Sequence, residues 1–177
     1  APRMVAAHRA ILDRLSALPG VRAVSASTCL PLDGCQGGPL SVDGRVLATG
    51  VVPPIVLYQG VAAAFFETMG TPIRQGRGIT RDDVERSEPV AVINEALARV
   101  AFLNEHPLGQ RVRLGNPAAA GSSRRWYTVV GVVANTPTTG LAVLTPVPRL
   151  YLPLAVQPPG NLSPRYTAAN YVVRTDV

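Results

Sequence analysis

The chain of 177 residues is 47% hydrophobic and 16% charged, with 17 prolines and 16 glycines. These values exclude a disordered chain, allow one domain or two small lobes with a real core, and favour a loop-rich α+β fold over a helical bundle. The formal net charge is +6, and the sequence contains 17 arginines and no lysine. The arginines are spread along the chain with few aromatic residues between them. This argues against nucleic-acid binding and leaves codon usage or a mild attraction to anionic lipids as explanations.

No apolar run in the sequence approaches the roughly 20 residues that span a bilayer. The sequence begins at Ala1, without methionine and without a visible signal peptide. We therefore expect a piece of a longer protein, and a membrane protein is allowed as its source.

The first 28 residues predict a helix followed by a strand. Pro19-Gly20 ends the helix, and residues 21–28 predict the strand because they are rich in small and β-branched side chains. Since no strand comes before this helix, we expect an N-terminal strand to be absent from the chain or to lie elsewhere. The apolar side chains that define one face of the helix are Met4, Ile11, Leu15 and Leu18.

Turn-forming residues dominate the next segment. Residues 30–40 predict a loop, and Asp43-Gly44 predicts a type I′ hairpin turn, which needs positive φ at both central positions. Pro53-Pro54 predicts that the following segment stays away from the centre of the sheet, because proline cannot donate to a ladder. Residues 55–58 predict a strand.

Residues 61–114 organise the chain as helix, loop, strand, helix and strand. In the first helix, which stops at Gly70, apolar residues recur at i, i+3, i+4 and i+7; they are Ala62, Phe65, Phe66 and Met69. Residues 89–93 predict a buried strand, and Asn94 caps the second helix. The side chains of this second helix that are predicted to face inward are Leu97, Val100 and Ala101.

The remaining strands are predicted from alternation and from apolar runs. Val112 and Leu114 alternate with arginines, which predicts a strand with one exposed face. Residues 126–133 are the best candidate for a central strand, and Gly131 within them indicates a bulge or a close approach of two backbones. The last two predicted strands are residues 149–154 and 171–174.

An ordered set of sequence stretches resembles a known family. The stretches are FFETMGTPIRQGRGITRDD, VAVINEALAR, HPLGQRVRLG and YTVVGVVANT, with LSALPGVRAV before them and PRLYLPL after them. In this order and spacing they are similar to the MacB-like periplasmic core domain of ABC-transporter permeases of the FtsX type. The resemblance covers most of the chain and departs from the family at the front, where a first strand is expected.

The resemblance implies a single extracytoplasmic domain with an α+β fold. One lobe is a mixed α/β lobe with helices packed on a sheet, from about 1–35 and 58–135. The other is a smaller β-rich lobe, from about 36–57 and parts of 136–177. It also implies membrane helices on both flanks in the full protein and ATP bound by a separate cytoplasmic domain, with no cofactor or metal in this one.

Three carboxylates are the candidate catalytic groups. Asp82 and Asp83 follow Thr80, a pattern typical of a helix cap, and Glu95 follows a strand and opens a helix, where α/β folds often place active sites. For all three we favour structural roles, namely a capped, solvated turn for the first two and a favourable acid in a first turn for Glu95. In the family pattern, the matching residues Gly76, Arg77 and Asp82 are expected to brace the loop.

The cysteines and histidines give no metal motif. Cys29 and Cys35 lie six apart, which disfavours zinc and leaves open whether they form a disulfide in an oxidising compartment. His8 lies in the N-terminal helix and His106 before a proline, so neither forms a metal-binding spacing. Ser122-Ser123 lies in a surface loop without a nucleophile motif.

The sequence leaves three functions open. The first is a non-enzymatic periplasmic domain of an ABC-transporter permease, which couples ATP-driven motion to a partner or substrate in efflux or mechanotransmission. Its expected partners are the rest of the permease, a second permease copy, and an adaptor protein or exported substrate, with Arg124-Arg125 and residues 134–148 as partner-facing surfaces. The second is a standalone periplasmic ligand-binding or adaptor domain. The third is a hydrolase that uses Asp82, Asp83 or Glu95.

Overall fold

The computed structural model describes residues 2–30, 35–45, 51, 53–103, 105–115, 125–136, 146–154 and 169–176, without the side chains of residues 2–4. Both helices and strands occur in this part of the chain, which confirms the predicted α+β class. The helices are α1 (Pro2–Ser16), α2 (Phe65–Thr68), α3 (Arg81–Glu85) and α4 (Glu95–Phe102). The strands are β1 (Val21–Ser27), β2 (Gln36–Val42), β3 (Ile55–Val61), β4 (Ile73–Gly76), β5 (Val90–Asn94), β6 (Arg111–Leu114), β7 (Tyr127–Val133), β8 (Arg149–Pro153) and β9 (Asn170–Thr175).

The described strands form one mixed sheet in the order β2-β6-β7-β5-β8-β3-β1-β9, with β4 beside β7. The first half of β2 pairs with β3, and its second half pairs with β6. The strands from β2 through β6, β7, β5 and β8 to β3 therefore form a closed circuit, and β1, β9 and β4 attach outside it. The pairs β3–β8 and β5–β7 are parallel.

The main apolar core takes side chains from every strand of this circuit. Alternate residues of a strand point to the same face, so each strand contributes one set of buried side chains. Helix α4 packs onto this core through Leu97, Ala101 and Phe102, which are at most 4% exposed. The strand residues in this core include Leu40, Val56, Tyr58, Ile93, Val112, Tyr127 and Leu150.

The prediction that Val100 faces inward is wrong, because its side chain is 50% exposed. At 3.6 residues per turn, Leu97, Ala101 and Phe102 point into the main core, and Val100 lies about 60° beyond Leu97 on the side away from Ala101 and Phe102. Leu97 and Ala101, the other two residues predicted for this face, are buried as expected.

A second apolar cluster lies on the other side of the sheet under α2. Phe65 and Phe66 pack against Tyr151, with the Phe66 and Tyr151 ring centroids 4.9 Å apart in an edge-to-face arrangement. The helix is shorter than predicted because β3 continues to Val61, so Ala62 lies before the helix while remaining buried.

The buried face of the N-terminal helix α1 is rotated from the predicted one and shares Leu15 with it, which is half-buried. Ile11 and Leu18 are 41% and 53% exposed. The helix instead directs Leu12 towards a small cluster that contains Ala26, Ala62 and Leu154. The periodicity alone was ambiguous here because α1 carries apolar side chains on more than one face.

Three expectations for residues 30–60 are corrected. Part of the predicted loop at 30–40 is strand β2, which pairs with β3. The turn at Asp43-Gly44 exists, with a hydrogen bond from Arg45 N to Val42 O, but Gly44 alone has positive φ, so it is not type I′. Pro53-Pro54 was expected to keep the next segment away from the centre of the sheet. That segment is instead β3, an interior strand that pairs with β8, β2 and β1, and the prolines are tolerated because they lie before its ladder.

The close approach predicted at Gly131 is confirmed and involves a strand that the sequence did not predict. Strand β4 pairs with β7, and a Cβ at Gly131 would lie 2.0 Å from the carbonyl oxygen of Arg77. Gly76 has φ +66, and a Cβ there would lie 2.2 Å from the carbonyl oxygen of Val130. Both positions therefore require glycine. The division of the domain into two lobes stays a prediction.

Candidate functional site

Asp83 holds together the start of α3. Its Oδ2 accepts hydrogen bonds from the backbone N and the hydroxyl of Thr80, each at 2.8 Å, and Thr80 Oγ1 accepts from Asp83 N at 3.2 Å. This reciprocal arrangement is the predicted capping box. Arg77 adds a forked contact, with Nη1 2.5 Å from Oδ2 and Nη2 3.2 Å from Oδ1.

Asp83 is buried at 4% exposure, and this burial disfavours its charge. Desolvation is the largest single influence and acts to raise the pKa of Asp83, but the hydrogen bonds from Arg77 and Thr80 together outweigh it and hold the pKa below its usual value. A carboxylate whose charge is already satisfied in this way braces the chain and does not serve as a proton acceptor.

The expectation that Asp82 braces this loop together with Gly76 and Arg77 is therefore wrong by one residue. Asp82 is exposed, and Arg77 reaches Asp83 instead. The carboxylate that accepts from the N-cap backbone must occupy the third helical position, which is Asp83. The predicted role of bracing the loop stands, with a different aspartate in it.

Asn94 and Glu95 have structural contacts at the start of α4. Asn94 Oδ1 accepts from Leu97 N and from Arg149 N, each at 2.9 Å, and its Nδ2 donates to Val147 O at 2.8 Å. Asn94 therefore caps α4 and also ties it to β8. Glu95 lies 3.5 Å from Arg74 Nε.

The exposed faces of α1 and α3 carry a ring of four charges, which we call the ion-pair ring: Arg9, Asp13, Arg81 and Glu85. Arg9 contacts Asp13 at 3.7 Å and Glu85 at 3.0 Å. Arg81 contacts the same two carboxylates at 3.3 Å and 3.0 Å. Each charge thus has two opposite neighbours, and two of the four contacts join α1 to α3.

Beneath the ion-pair ring lies a cavity of about 190 Å³ between α1, α3 and β1. Its walls are mainly apolar, and His8 lies at its edge with Nδ1 2.5 Å from the hydroxyl of Tyr171 on β9. Burial lowers the pKa of His8 and raises that of Tyr171, so both are neutral near pH 7. The apolar lining includes Leu12, Val24, Ala62, Ala63 and Leu154.

The two cysteines, whose pairing the sequence left open, form a disulfide. It lies beside the guanidinium of Arg149, which is 2% exposed and donates from Nη1 to Gln59 Oε1 at 2.8 Å. From the sequence, Arg149 is predicted only to belong to a strand. The available signal was a charged residue at the head of the otherwise apolar run RLYLPL.

The remaining candidates are separate from these sites. His106 lies exposed in a loop, and Arg125 donates to Ser87 O and lies over the ring of Tyr127. Ser122-Ser123, Arg124 and most of 134–148 lie outside the described residues. Within the part of the chain that the structure describes, no group of three or more histidine, cysteine or acidic side chains is arranged to hold a metal ion.

These contacts describe an α+β domain in which one candidate acid, Asp83, caps and braces the backbone, Glu95 lies beside Arg74, and Asp82 is exposed. Among the described helices, none combines the length and the apolar character that crossing a bilayer requires.

A model of the MacB-like periplasmic core domain family matches residues 3–176, and the chain belongs to this family. This match confirms the resemblance to the MacB-like periplasmic core domain.

Two curated relatives are macrolide export ATP-binding/permease proteins named MacB. The one from Aggregatibacter actinomycetemcomitans is 34% identical over 76 residues, or 43% of this chain. The one from Mannheimia succiniciproducens is 27% identical over 77 residues, or 44% of this chain. In each case the match spans 11% of the relative's length.

Solved structures share the fold. The periplasmic region of MacB from Actinobacillus actinomycetemcomitans aligns over 95% of this chain and 64% of its own, with a TM-score of 0.61 and 22% identity. The extracellular domain of the ABC-type transporter YknZ from Gram-positive bacteria aligns over 94% of this chain and 71% of its own, with a TM-score of 0.58 and 16% identity. At these identities the likeness concerns the fold alone.

Proposed function

We propose that this domain lies on the extracytoplasmic side of the membrane and passes ATP-driven motion of its permease to a periplasmic partner or an exported substrate. The observation that carries the proposal is the family match over residues 3–176. The ATPase is a separate domain or subunit in this proposal, and the domain itself is not an enzyme. Its other partners are the membrane helices of the permease and a second permease copy.

The contrast between α1 and the core supports a role in motion. The core circuit is filled with apolar side chains, so it can move as a rigid body. Helix α1 rests on a partly empty space and is joined to α3 by exposed ion pairs, which are individually weak. A shift of α1 by a small distance therefore breaks few strong contacts.

The test is a distance measurement in the full-length permease assembled with its ATPase in lipid. A single spin label is introduced at Ala7→Cys on α1 or at Val100→Cys on α4, both on exposed positions. The native disulfide is kept oxidised so that only the new thiol reacts. We expect the distance between the two labels of paired permease copies to change by about 2 Å or more when ATP is added.

The matched control is the same labelled permease with an ATPase that binds but does not hydrolyse ATP. We expect ATP hydrolysis to add label-to-label distances that are absent from this control. Identical distance distributions with and without ATP at both label positions would overturn the proposal. If the permease is a monomer in lipid, a second permease copy is not one of the partners.

The alternative of a standalone ligand-binding or adaptor domain is favoured by one observation, the apolar cavity under α1. The two readings differ in the parent gene. The permease proposal requires apolar spans of about 20 residues on both flanks of this domain, whereas a standalone domain requires none. Reading the flanking sequence decides between them.

The hydrolase hypothesis has no supporting observation. Asp83 is held by Arg77 and Thr80, Glu95 lies beside Arg74, and Asp82 is exposed. Asp83→Asn and Glu95→Gln variants of the permease should keep ATP-driven activity apart from any loss of folded protein.

A further inference from the structure

The disulfide between Cys29 and Cys35 has an unusual polar neighbour. It joins the segment after β1 to the residue before β2. Gln59 Oε1, from β3, lies 3.3 Å from each sulfur. Arg149 Nη1, from β8, lies 2.8 Å from that oxygen and 3.7 Å from Cys35 Sγ.

Arg149 carries a buried positive charge. Its Nε is buried without a hydrogen-bond partner. No carboxylate among the described residues lies within salt-bridge distance of it. Burying a cation without an anion is costly. Burial is the largest influence and lowers the pKa of Arg149, while the hydroxyl of Tyr151 beside the guanidinium acts in the opposite direction. Burial raises the pKa of Tyr151 itself, so this hydroxyl supplies no anion near neutral pH. An anion formed beside this guanidinium would therefore be stabilised.

We propose that Cys29–Cys35 is a redox-active disulfide, and that Cys35 becomes a thiolate paired with Arg149 when the bond is reduced. The reductant is an external dithiol. One of its thiolates attacks Cys29 Sγ, the S–S bond breaks, and Cys35 leaves with the electron pair. The second dithiol sulfur then displaces Cys29, so the dithiol becomes a disulfide and the protein gains two electrons and two protons, one of which Cys35 releases when it ionises.

The contacts assign different roles to the two sulfurs. Both touch the neutral amide of Gln59, but the contact with Arg149 is made by Cys35. Cys29 is 7% exposed, and burial without a cation raises the pKa of a thiol. The contact with Arg149 makes Cys35 the better leaving group. Cys35 is also less buried than Cys29, so once reduced it is the more accessible nucleophile for modification.

The inference is independent of the proposed function, because it concerns one covalent bond and its neighbours. It assigns a thiol modification site at the junction of β1 and β2. The neighbouring pair Gln36–Tyr58, joined by a 3.0 Å hydrogen bond between side chains, begins the β2–β3 ladder.

The first test uses the native chain without any substitution. The protein is reduced with dithiothreitol, freed of reductant without oxygen, and alkylated with iodoacetamide from pH 5 to pH 10, and each cysteine is quantified by peptide mass spectrometry. We expect the midpoint pH for Cys35 to lie at least one unit below the ordinary thiol value of about 8.5, and that of Cys29 at or above it. In guanidinium chloride the two midpoints should coincide.

The second test measures the equilibrium of the disulfide with dithiothreitol in Arg149→Met. Removing the cation should favour the disulfide about eightfold at pH 9, the ratio expected when a thiol pKa rises from about 7.5 to about 8.5. The difference should vanish near pH 6, where both thiols are protonated. Arg149→Lys keeps a cation and should therefore shift the equilibrium less than Arg149→Met. Arg74→Met is the control for loss of an exposed arginine.

Equal midpoints for the two cysteines in the folded, reduced chain would overturn the proposal. So would a pH-independent difference between the native chain and Arg149→Met, since a purely structural role for Arg149 predicts that result. If Arg149→Met does not fold, the first test decides alone.

Discussion

Helices α4 and α1 both lie on the sheet, yet they are held by different forces. Helix α4 buries Leu97 and Phe102 completely and is capped by Asn94. Helix α1 leaves Ile11 41% exposed and is joined to α3 through the ion-pair ring above a cavity. Apolar burial of about 25 cal/mol per Å² fixes α4, whereas exposed ion pairs contribute about 0–1 kcal/mol each to holding α1.

This difference indicates which helix of the domain can be displaced most easily. A helix fixed by close packing moves only with its core, because displacement opens cavities. A helix fixed by solvated charges over an incompletely filled space can be displaced by comparatively small free energies. Four predictions test this contrast, in decreasing order of the change in stability that each should cause.

The largest expected effect comes from Leu97→Ala in α4. The side chain is fully buried in the main core, so its truncation should lower the free energy of unfolding by about 3–5 kcal/mol. Urea unfolding followed by circular dichroism measures it. The matched variant Leu12→Ala in α1, which removes the same atoms beside an existing cavity, should cost less than half as much. Equal losses in the two variants would abolish the contrast.

The two helices also differ in how well sequence reasoning predicted them. Asn94 as a cap and Leu97 as a core residue follow from local rules, and both are confirmed. The orientation of α1 depends on what packs beneath it, and its apolar residues allow more than one face. Strand β4 was missed because its four residues are all exposed and carry no apolar pattern.

The aspartate paired with Arg77 was within reach of the sequence, because the spacing from Thr80 already places Asp83 at the third helical position. The role of Arg149, in contrast, depends on a tertiary contact. The contact between Arg149 and Cys35 joins residues 114 positions apart in the chain. No local pattern encodes such a distance, although a charged residue in an apolar strand indicates that a partner exists.

The second prediction concerns the cap of α4. Asn94→Ala should lower the free energy of unfolding by about 2–3 kcal/mol, because it removes the cap and leaves the buried N–H of Arg149 and the half-buried carbonyl of Val147 without their partner. Thermal unfolding by calorimetry measures the loss. Asn135→Ala, which removes a single bond to Ala96 N, is the control and should cost about 1 kcal/mol. A smaller loss for Asn94→Ala than for its control would contradict this account of α4.

The third prediction concerns α3, to which the ion-pair ring attaches α1. The pKa of Asp83 is lower in the folded state than its unfolded value of about 3.9. Its contribution to stability is therefore complete above about pH 4 and is lost as the pH falls through the lower folded pKa. Asp83→Asn should cost about 1–2 kcal/mol at pH 7 and flatten the decline in stability below pH 4.

The control for Asp83 is its neighbour in the sequence. Asp82→Asn changes an exposed carboxylate and should leave both the stability at pH 7 and its acid dependence close to those of the native chain. Urea unfolding between pH 2 and pH 7 compares the two variants. A stronger effect of Asp82→Asn would mean that the brace involves the other aspartate.

The smallest expected effect is that of Glu85→Gln in the ion-pair ring. Glu85 contacts Arg9 of α1 and Arg81 of α3, so its neutralisation removes one of the two links between the helices, yet global stability should fall by less than about 1 kcal/mol. Amide hydrogen exchange read by mass spectrometry should nevertheless quicken in α1 while remaining unchanged in α4. Raising NaCl to 1 M should reproduce this pattern in the native chain, because salt screens exposed charges, and Glu67→Gln, outside the ring, should not. Uniform quickening in both helices would show that the ring acts on the whole fold and would remove α1 as the part that yields first.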